Sequence, residues 1–538
     1  MWHPCTQMKQ LEATPPLAIA RGEGPWLIDT EGRRYLDAIS SWWVNLFGHC
    51  NPRINAAITD QLGKIEHVML AGATHEPVVE LSERLAKLTG LGHAFYGSDG
   101  ASATEIALKM SAHYWRNAGQ PEKNGFISLK NGYHGETVGA LSVTDIPLFK
   151  TTYEPLLRHT VQVPTPDARL AEAGETAEAY ALRCAVALEV HLAEHASTTA
   201  AFIVEPLVQG AAGMAMYHPA YLTRARELCD RYRVHLIADE IAVGFGRTGT
   251  MFACEQAALF QQAGTHAEIA PPSRSRRSAP AESGGSVSCR GGSKFGCEQG
   301  SHPPPNPLPS REGGCAQTEP APAGSPANHG DGTPSPLEGW TETARISSAD
   351  YGAPSPLRGE GWGEGDDPPN RVSRIADFIC LSKGITGGYL PLSAVLTTDD
   401  IYAAFYDDAT ARGFLHSHSY TGNPLACRAA LAVLDIFEHD NVIAANRVKA
   451  LDFTRILGEV AAHTRVRHFR HLGMIWAFDV ADAAPGFSTR FHQAALALGA
   501  FIRPVGHTVY VMPPYVTSAD EMRALADAML LCLDNTEI

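Results

Sequence analysis

The sequence predicts an α/β fold built on a mostly parallel sheet that helices cover on both faces. Three short apolar runs, at 202–206, 234–239 and 377–381, are typical of strands buried on both sides. Helical patterns such as 103–115 and 219–232 lie among them. Because strands alternate with helices, the pattern favours parallel strands joined by helical crossovers.

The two ends of the chain follow a different pattern. Apolar runs at 25–29 and 34–37, separated by a turn at Glu31-Gly32, predict a small β-hairpin. The last hundred residues mix helix and short-strand signals, which favours a small α+β domain. The predicted division is the N-terminal part of the small domain at 1–50, the large domain at 51–259 and 375–429, an insertion at 260–374, and the C-terminal part of the small domain at 430–538.

The insertion is predicted from a break in composition. The stretch 271–370 contains 17 Gly, 17 Pro and 14 Ser, and its apolar periodicity disappears. Such a segment cannot bury enough apolar surface to offset the entropy of ordering it. We interpret 260–374 as a disordered, Gly/Pro/Ser-rich insertion that projects from the fold, with a folded extra module as the alternative.

Composition and charge exclude several classes of protein. The 538 residues are 44% hydrophobic, which is ordinary for a chain with a sizeable core, and they carry a net charge of −15. The charge argues against nucleic-acid binding. Nothing approaches the roughly 18 apolar residues of a membrane span. Eleven cysteines without metal spacing, and a start unlike a secretory signal, predict free thiols in the cytoplasm and no metal site.

Asp239 follows the apolar strand 234–239, at the carboxyl end where open α/β sheets place their ligands. Lys383 follows the strand 377–381 beside a glycine-rich turn. A lysine in such a partly dry position has a depressed pKa and can form a Schiff base. Each residue alone has an ordinary alternative, a helix cap or solvated loop for the aspartate and a surface position for the lysine.

A third feature is the segment Gly97-Ser-Asp-Gly100-Ala-Ser102, which precedes a predicted helix. Backbone N–H groups at a helix start suit a phosphate, although an ordinary capped helix is the alternative. The segment lacks the spacing of a Walker loop or a dinucleotide fingerprint.

Together, the phosphate cradle, the acid and the lysine match the requirements of pyridoxal 5'-phosphate. Tyr133 adds an aromatic side chain that could lie on the cofactor ring. Asp239 and Lys383 are 144 residues apart, and removing about 115 as insertion leaves about 29. That length suits one helical crossover between neighbouring parallel strands.

The chain resembles the class III, fold-type I aminotransferases across nearly its whole length except about 260–374. The motifs around Lys383 and Asp239 match the class as a whole. A narrower resemblance, to one group within the class, rests on the Trp-His-Pro start, the double tryptophan and the Arg503 region. The matching segments are Trp2-His-Pro, Ser40-Ser-Trp-Trp43, Tyr133-His-Gly, Ala238-Asp-Glu-Ile241, Gly244-Phe-Gly-Arg-Thr-Gly249, Lys383-Gly-Ile-Thr-Gly-Gly388, Gly422-Asn-Pro-Leu-Ala426, Ile502-Arg-Pro504 and Met512-Pro-Pro-Tyr515.

The resemblance implies a role for each matched residue. Lys383 is expected to form the Schiff base, and Asp239 to pair with the pyridinium nitrogen. The implied cofactor-binding set is Gly100 and Ala101 at the phosphate, Tyr133 on the ring, and Ser419 reaching the phosphate of a neighbouring subunit's cofactor. The implied substrate-binding set is Trp42, Tyr133 and Arg503, with Arg503 taking a carboxylate.

The implied reaction is a transamination in biotin biosynthesis, with S-adenosylmethionine as amino donor and 8-amino-7-oxononanoate as acceptor, in a homodimer. Two departures from the family stand out. Cys5 occupies a position where one branch has a substrate-contacting tyrosine, and the insertion falls between the two catalytic strands. The alternatives are a class III aminotransferase acting on another ω-amino acid, or a cofactor-binding protein inactivated by the insertion.

Overall fold

The computed structural model describes residues 1–269 and 372–535. Most of the predicted insertion, 270–371, lies outside the described residues, so its disorder stays a prediction. Both of its predicted edges fall within the described residues. Residues 260–269 continue a helix, and Val372 is fully buried. The physical reason is composition, since the first proline of the Pro-rich stretch is Pro271 and no proline precedes it in 260–269.

The strands of the described residues form sheets that involve both ends of the chain and its middle. In chain order they are β1 (Ile19–Glu23), β2 (Trp26–Asp29), β3 (Arg34–Asp37), β4 (His93–Gly97), β5 (Gly125–Leu129), β6 (Val161–Val163), β7 (Thr199–Val204), β8 (Val208–Gln209), β9 (Ala215–Met216), β10 (His235–Asp239), β11 (Phe378–Leu381), β12 (Ser393–Thr397), β13 (Val466–Leu472), β14 (Ile475–Val480), β15 (Ala500–Phe501) and β16 (Thr508–Val511).

The helices of the described residues alternate with the strands through the middle of the chain, and four helices follow one another between β12 and β13. They are α1 (Gln10–Ala13), α2 (Ser40–Trp43), α3 (Pro52–Leu62), α4 (Glu76–Thr89), α5 (Gly100–Asn117), α6 (Val138–Val143), α7 (Pro147–Lys150), α8 (Ala177–His195), α9 (Ala220–Tyr232), α10 (Glu255–Ile269), α11 (Asp399–Ala403), α12 (Pro424–His439), α13 (Val442–Ile456), α14 (Gly458–Ala462), α15 (Phe487–Ala497) and α16 (Ala519–Asp534). Short 3₁₀ turns cover Thr151–Leu156, Ala168–Leu170, Lys383–Thr386 and Thr410–Arg412.

The central sheet has the strand order β4–β12–β11–β10–β7–β5–β6. Strands β11, β10, β7, β5 and β6 are parallel, and β12 runs antiparallel to both of its neighbours. The prediction of a mostly parallel sheet is confirmed. The strands that precede Asp239 and Lys383 are parallel neighbours, as the spacing predicted, with Asp239 paired with Cys380.

Helices cover both faces of this sheet. Side chains alternate along a strand, so Leu236 and Ala238 belong to one buried apolar cluster and Ile237 belongs to another. Helix α5 packs against β11 and β12, and its Ala103 and Ile106 lie in the cluster that contains Ile237. The continuous apolar runs of the sequence therefore reflect strands that are buried on both sides.

The two ends of the chain meet in a second sheet. The predicted hairpin is present as β2 and β3, and β1 extends it to three antiparallel strands. Strand β15, from the C-terminal segment, adds to β3 in parallel, pairing Ala500 with Leu36. A third sheet, in the order β13–β14–β16, belongs entirely to the C-terminal segment.

The division into a large and a small domain remains a proposal. The sheet to which both ends of the chain contribute strands supports it. The predicted boundary between 429 and 430 falls within helix α12. None of the helices in 1–269 and 372–535 combines the length and apolar composition needed to cross a membrane.

Candidate active site

A cavity of about 740 Å³ lies at the carboxyl ends of β7, β10 and β11, beside the start of α5. This is the edge of the sheet where open α/β proteins bind their ligands. Among the residues that line it are Gly100, Ala101, Tyr133, His134, Glu136, Glu205, Asp239, Lys383 and Trp43. The structure thus brings together five of the predicted site residues, Gly100, Ala101, Tyr133, Asp239 and Lys383.

Asp239 is the last residue of β10, and its carboxyl group is buried. One oxygen lies 2.7 Å from His134 Nδ1, and the other accepts the backbone N–H of Ile241 at 3.1 Å. Because a carboxylate only accepts hydrogen bonds, Nδ1 of His134 carries the proton. The histidine and the backbone therefore fix the carboxylate that faces the cavity.

Lys383 begins a 3₁₀ turn directly after β11 and adopts a left-handed φ of 43°. Burial lowers the pKa of its ammonium group, although the charges of Asp239 and Glu205 oppose the shift. Its Nζ lies 5.0 Å from the centroid of the Trp43 ring. A lower pKa increases the fraction of neutral amine, which is the nucleophilic form.

Glu205 is a second buried acid at this edge, and the sequence did not single it out. It follows β7 directly and accepts the backbone N–H groups of Tyr133 and Gly210, each at 3.0 Å. Burial raises its pKa to about 7. Its position after an apolar strand is the same signal that marked Asp239, so the strand-end argument could have found it.

The start of α5 is shaped by small residues. Asp99 caps the helix by accepting the N–H of Ser102 at 2.9 Å. A Cβ on Gly100 would lie 2.9 Å from the Ile241 side chain, so a larger residue does not fit there. Gly135 lies against Ala101, and Gly100 and Ala101 line the cavity with no side chain larger than a methyl group at the first two residues of the helix.

Tyr133 stands at one wall of the cavity. Its hydroxyl group donates to Glu136 Oε1 at 2.8 Å, and its ring makes an edge contact with Phe149. Burial and the bond to Glu136 both raise the pKa of the phenol. The tyrosine is therefore neutral, and its ring is held on two sides.

Trp42 and Arg503 are brought together but do not line the cavity. The guanidinium carbon of Arg503 lies 5.5 Å from the centroid of the exposed Trp42 ring. Cys5 is exposed and lies close enough to Glu136 and Arg503 to sense both charges; burial and Glu136 raise the pKa of its thiol, and Arg503 lowers it. The residue that departs from the family pattern is thus near the predicted carboxylate-binding arginine.

The two adjacent tryptophans, Trp42 and Trp43, lie in a segment with an unusual backbone conformation. Ser40, Ser41, Trp42 and Trp43 have φ values of 51°, 45°, 72° and 72°, so α2 is a left-handed turn made without glycine. Such a conformation costs roughly 1–2 kcal/mol per residue. It separates the two rings, with Trp43 buried beside Lys383 and Trp42 exposed beside Arg503.

Ser419 is exposed and lies outside the set of residues that line the cavity of its own chain. Its role at a neighbouring subunit stays a prediction. The sequence motifs include His134, Trp43 and Glu136 but assign them no function. For His134 and Trp43, the contacts that define their roles come from distant segments.

The comparisons with known proteins agree with this geometry. The family model for class III aminotransferases matches residues 8–269 and 370–533. The chain belongs to the class III aminotransferase family. The predicted fold class and enzyme class are therefore confirmed. The two matched ranges leave 270–369 outside the family.

Similar proteins cover the chain from end to end. The adenosylmethionine-8-amino-7-oxononanoate aminotransferase of Helicobacter pylori is 35% identical, over 99% of this chain and 96% of its own. The crystal structure of the aminotransferase of that name from Methanocaldococcus jannaschii has a TM-score of 0.74 at 29% identity, covering 100% of this chain and 97% of its own. An amine transaminase from an uncultivated Pseudomonas species, solved in its PLP-bound form, has a TM-score of 0.73 at 26% identity, covering 99% and 98%.

Proposed function

We propose that this protein transfers an amino group from S-adenosylmethionine to 8-amino-7-oxononanoate, giving 7,8-diaminononanoate for biotin biosynthesis. The observation that carries the proposal is the meeting of Lys383, Asp239 and the start of α5 in one cavity. The names of the Helicobacter and Methanocaldococcus relatives support the choice of substrates.

The residues of the cavity fit pyridoxal 5'-phosphate. Asp239 is a buried carboxylate beside a cavity and suits a pyridinium nitrogen, while the glycine-shaped start of an 18-residue helix suits a phosphate. Tyr133 supplies an aromatic face, and Lys383 would hold the aldehyde carbon. When bound, the cofactor supplies a carbonyl for the donor amine and a sink for electrons.

The side chains have distinct tasks in this reaction. Asp239, fixed by His134, holds positive charge on the ring nitrogen of the cofactor. Lys383, with its lowered pKa, would take a proton from the reacting carbon of the donor and pass a proton to the former aldehyde carbon of the cofactor, and the second half of the reaction would run these two transfers in reverse. Glu205 and Asp239 both stabilise the ammonium form of the lysine while it carries that proton.

Arg503 and Trp42 form the proposed acceptor-binding pair. The planar guanidinium suits the carboxylate of 8-amino-7-oxononanoate, and the exposed Trp42 ring offers an apolar surface for its chain. Arg503→Ala is expected to raise KM for the oxononanoate more than KM for the donor.

The proposed assembly is a homodimer in which Ser419 reaches the partner's cofactor. Large apolar side chains near Ser419 are exposed in the single chain, with exposed fractions of 82% for Tyr406, 74% for Leu415 and 66% for Tyr420. Their burial against a second copy fits the commonest symmetry of soluble oligomers. Sedimentation should find a dimer, and an active monomer at assay concentration would contradict the proposal.

A cytoplasmic location accompanies this proposal. The cysteines of the described residues are free thiols, as is typical of proteins from reducing compartments. Fractionation of cells that express the protein would test it.

The decisive experiment is a single-turnover assay of the purified holoenzyme. S-adenosylmethionine is expected to convert the bound cofactor to its amine form faster than lysine, alanine or other simple amine donors. A faster reaction with one of these would favour a class III aminotransferase acting on a different substrate. In Lys383→Ala, borohydride should no longer attach the cofactor to the protein, and a retained adduct would overturn the assignment of the lysine.

A further inference from the structure

The left-handed turn α2 connects three parts of the active site. At its end, the Trp43 ring contacts Lys383 and packs so tightly on Gly210 that a Cβ there would lie 2.9 Å from the ring. One residue earlier, Trp42 lies beside Arg503. A strained turn persists only where its surroundings determine it, and strain of this kind concentrates at functional sites.

Asp37 holds the turn from its N-terminal side. Its side chain is fully buried at the end of β3 and accepts the backbone N–H of Ser41 at 2.9 Å and the hydroxyl of Ser41 at 2.7 Å. These two hydrogen bonds fix the position of Ser41, the second residue of the turn. A buried carboxylate with several donors is a strong and specific anchor.

His49 completes the anchor from the other side. Its Nε2 lies 3.1 Å from Asp37, and its Nδ1 accepts from the side-chain amide of Asn45 at 3.1 Å. Because Asn45 donates to Nδ1, the ring proton sits on Nε2 and points at the carboxylate. Gly22 leaves the room for this ring, since a Cβ there would lie 2.5 Å from His49.

The opposite side of the turn rests on C-terminal and large-domain segments. Ser40 donates its hydroxyl to Met512 O at 2.7 Å, and Trp43 donates its indole N–H to Tyr510 at 3.1 Å. The fully buried Arg247 donates to the carbonyl oxygens of Trp43 and Asn45 at 3.4 and 3.1 Å. With the anchor of Asp37 on one side and these bonds on the other, one conformation of the turn is determined.

We propose that the buried Asp37 and its partly buried partner His49 are a positioning unit for the transamination reaction. By holding the left-handed turn, it sets the Trp43 ring against the nitrogen of Lys383 and places Trp42 beside Arg503. The first part, the placement of Trp43 against Lys383, depends only on the chain being a class III aminotransferase. The second part rests on the proposed function, in which Trp42 and Arg503 bind the acceptor.

The test compares Asp37→Asn with Asp29→Asn in the holoenzyme. Asp29 is a buried aspartate of the same hairpin that accepts from Arg33 and Tyr35 and lies outside this anchor, so it is a matched control. The measurements are the melting temperature, the pH titration of the visible absorbance of the bound cofactor without substrate, and kcat and KM. Trp43→Leu serves as the reference for loss of the ring.

Asp37→Asn should move the midpoint of the absorbance titration to lower pH by about half a unit or more, because a displaced ring no longer favours the protonated nitrogen of Lys383. Trp43→Leu should shift it in the same direction. We expect kcat to fall roughly tenfold to a hundredfold in Asp37→Asn, as for a small misplacement of reacting groups. Asp29→Asn should lower the melting temperature without moving the midpoint.

Equal effects of Asp37→Asn and Asp29→Asn on the midpoint and on kcat would overturn the proposal, since the anchor would then only stabilise the hairpin. If Asp37→Asn does not fold, Ser41→Ala decides, because it removes one bond to Asp37 and should shift the midpoint in the same direction by less. An unshifted midpoint in Ser41→Ala would contradict the proposal. The titration uses no substrate, so its result is independent of whether the oxononanoate is accepted.

Discussion

At the scale of single residues, the hydrogen bond between His134 and Asp239 determines how the acid of the site is presented. Nδ1 of His134 and Asp239 Oδ2 are 2.7 Å apart, and both side chains are buried. His134 Nε2 is buried and has no hydrogen-bond partner among the described residues. The ring is therefore held mainly by its bond to the carboxylate, and the carboxylate depends on the ring.

His134→Leu is expected to weaken both cofactor binding and turnover. A hydrogen bond to a charged group is worth about 1.5–3 kcal/mol, so the loss should be roughly tenfold to a hundredfold. His134→Asn keeps an N–H near the position of Nδ1 and should recover much of it. Absorbance titration with pyridoxal 5'-phosphate and the single-turnover rate measure the two effects, and equal losses in both variants would show that the bond to Asp239 is unimportant.

Sequence reasoning finds Asp239 and Lys383 because each follows an apolar strand, and parallel strands end at the same edge of the sheet. Glu205 follows strand β7 in the same way, so the same argument applies to it. Trp43 could not be assigned, because its contact with Lys383 depends on four left-handed residues that no local preference predicts. Backbone strain is fixed by distant partners and leaves no signal in the surrounding sequence.

At the scale of elements, the position of helix α5 depends on Gly135. Its φ is 122°, and a Cβ there would lie 2.7 Å from Ala101 Cβ and 2.9 Å from Ala101 Cα. The loop that carries Tyr133 and the start of the helix can therefore touch only because this residue has no side chain. Gly119, beyond the other end of α5, also has a positive φ, of 76°, but a Cβ added there would meet none of the described residues within 4 Å.

Gly135→Ala is expected to raise the dissociation constant of pyridoxal 5'-phosphate by about tenfold, which corresponds to about 1.4 kcal/mol. The added methyl group would push the helix start away from the phosphate position. Gly119→Ala is the control, since it also places an alanine at a positive φ, at a cost of about 1 kcal/mol, without the contact. A similar rise in the control would mean that lost stability alone explains the effect.

A second element-scale feature is an ion cluster around Asp479, in strand β14. Its carboxylate accepts from Arg470 at 3.1 Å, from Thr508 at 2.8 Å and from Arg169 at 3.3 Å, and it lies 3.0 Å from His468. Burial alone would raise its pKa, but these neighbours outweigh burial and lower it to about 2. The cluster therefore joins the C-terminal sheet to the segment that contains Arg169.

The sign of the pH dependence follows from this pKa. An acid whose pKa is lower in the folded state contributes stability above its ordinary value of 3.8, and the contribution is lost as the pH falls toward 2. Asp479→Asn should reduce the free energy of unfolding by about 2 kcal/mol at pH 7, with a gap that narrows below pH 4. Urea unfolding at several pH values measures it. Asp452→Asn, in an exposed pair with Arg455, is the control, and a constant gap for Asp479→Asn would contradict the argument.

The elements themselves were largely predictable. The three buried strands, the hairpin and helices α5 and α9 lie where the patterns placed them, within a few residues. Helix α10 begins at Glu255, directly after Ala253 and Cys254, whose N–H groups are accepted by Glu240 at 2.9 and 2.7 Å. A contact across 13 residues decides that boundary, and local propensity carries no information about it.

At the scale of the whole molecule, the described residues on either side of 270–369 lie in, or directly before, regular elements of the family ranges. On one side, helix α10 continues to Ile269. On the other, Val372 and Ile375 are fully buried, and Asp377 pairs with Arg226 at 2.8 Å immediately before β11. The residues that carry the site therefore make their contacts within the matched ranges 8–269 and 370–533.

The last prediction concerns a chain in which residues 271–370 are replaced by a short Gly/Ser linker. It should bind pyridoxal 5'-phosphate and catalyse the transamination as the full chain does, because the replacement leaves the contacts of Lys383, Asp239 and α5 in place. Cofactor titration and the single-turnover rate of both chains measure this. Activity that appears only after the replacement would favour a protein inactivated by its insertion. Loss of the cofactor would show that the segment contributes to the fold, since in the sequence it lies between the neighbouring strands β10 and β11, which lead to Asp239 and Lys383.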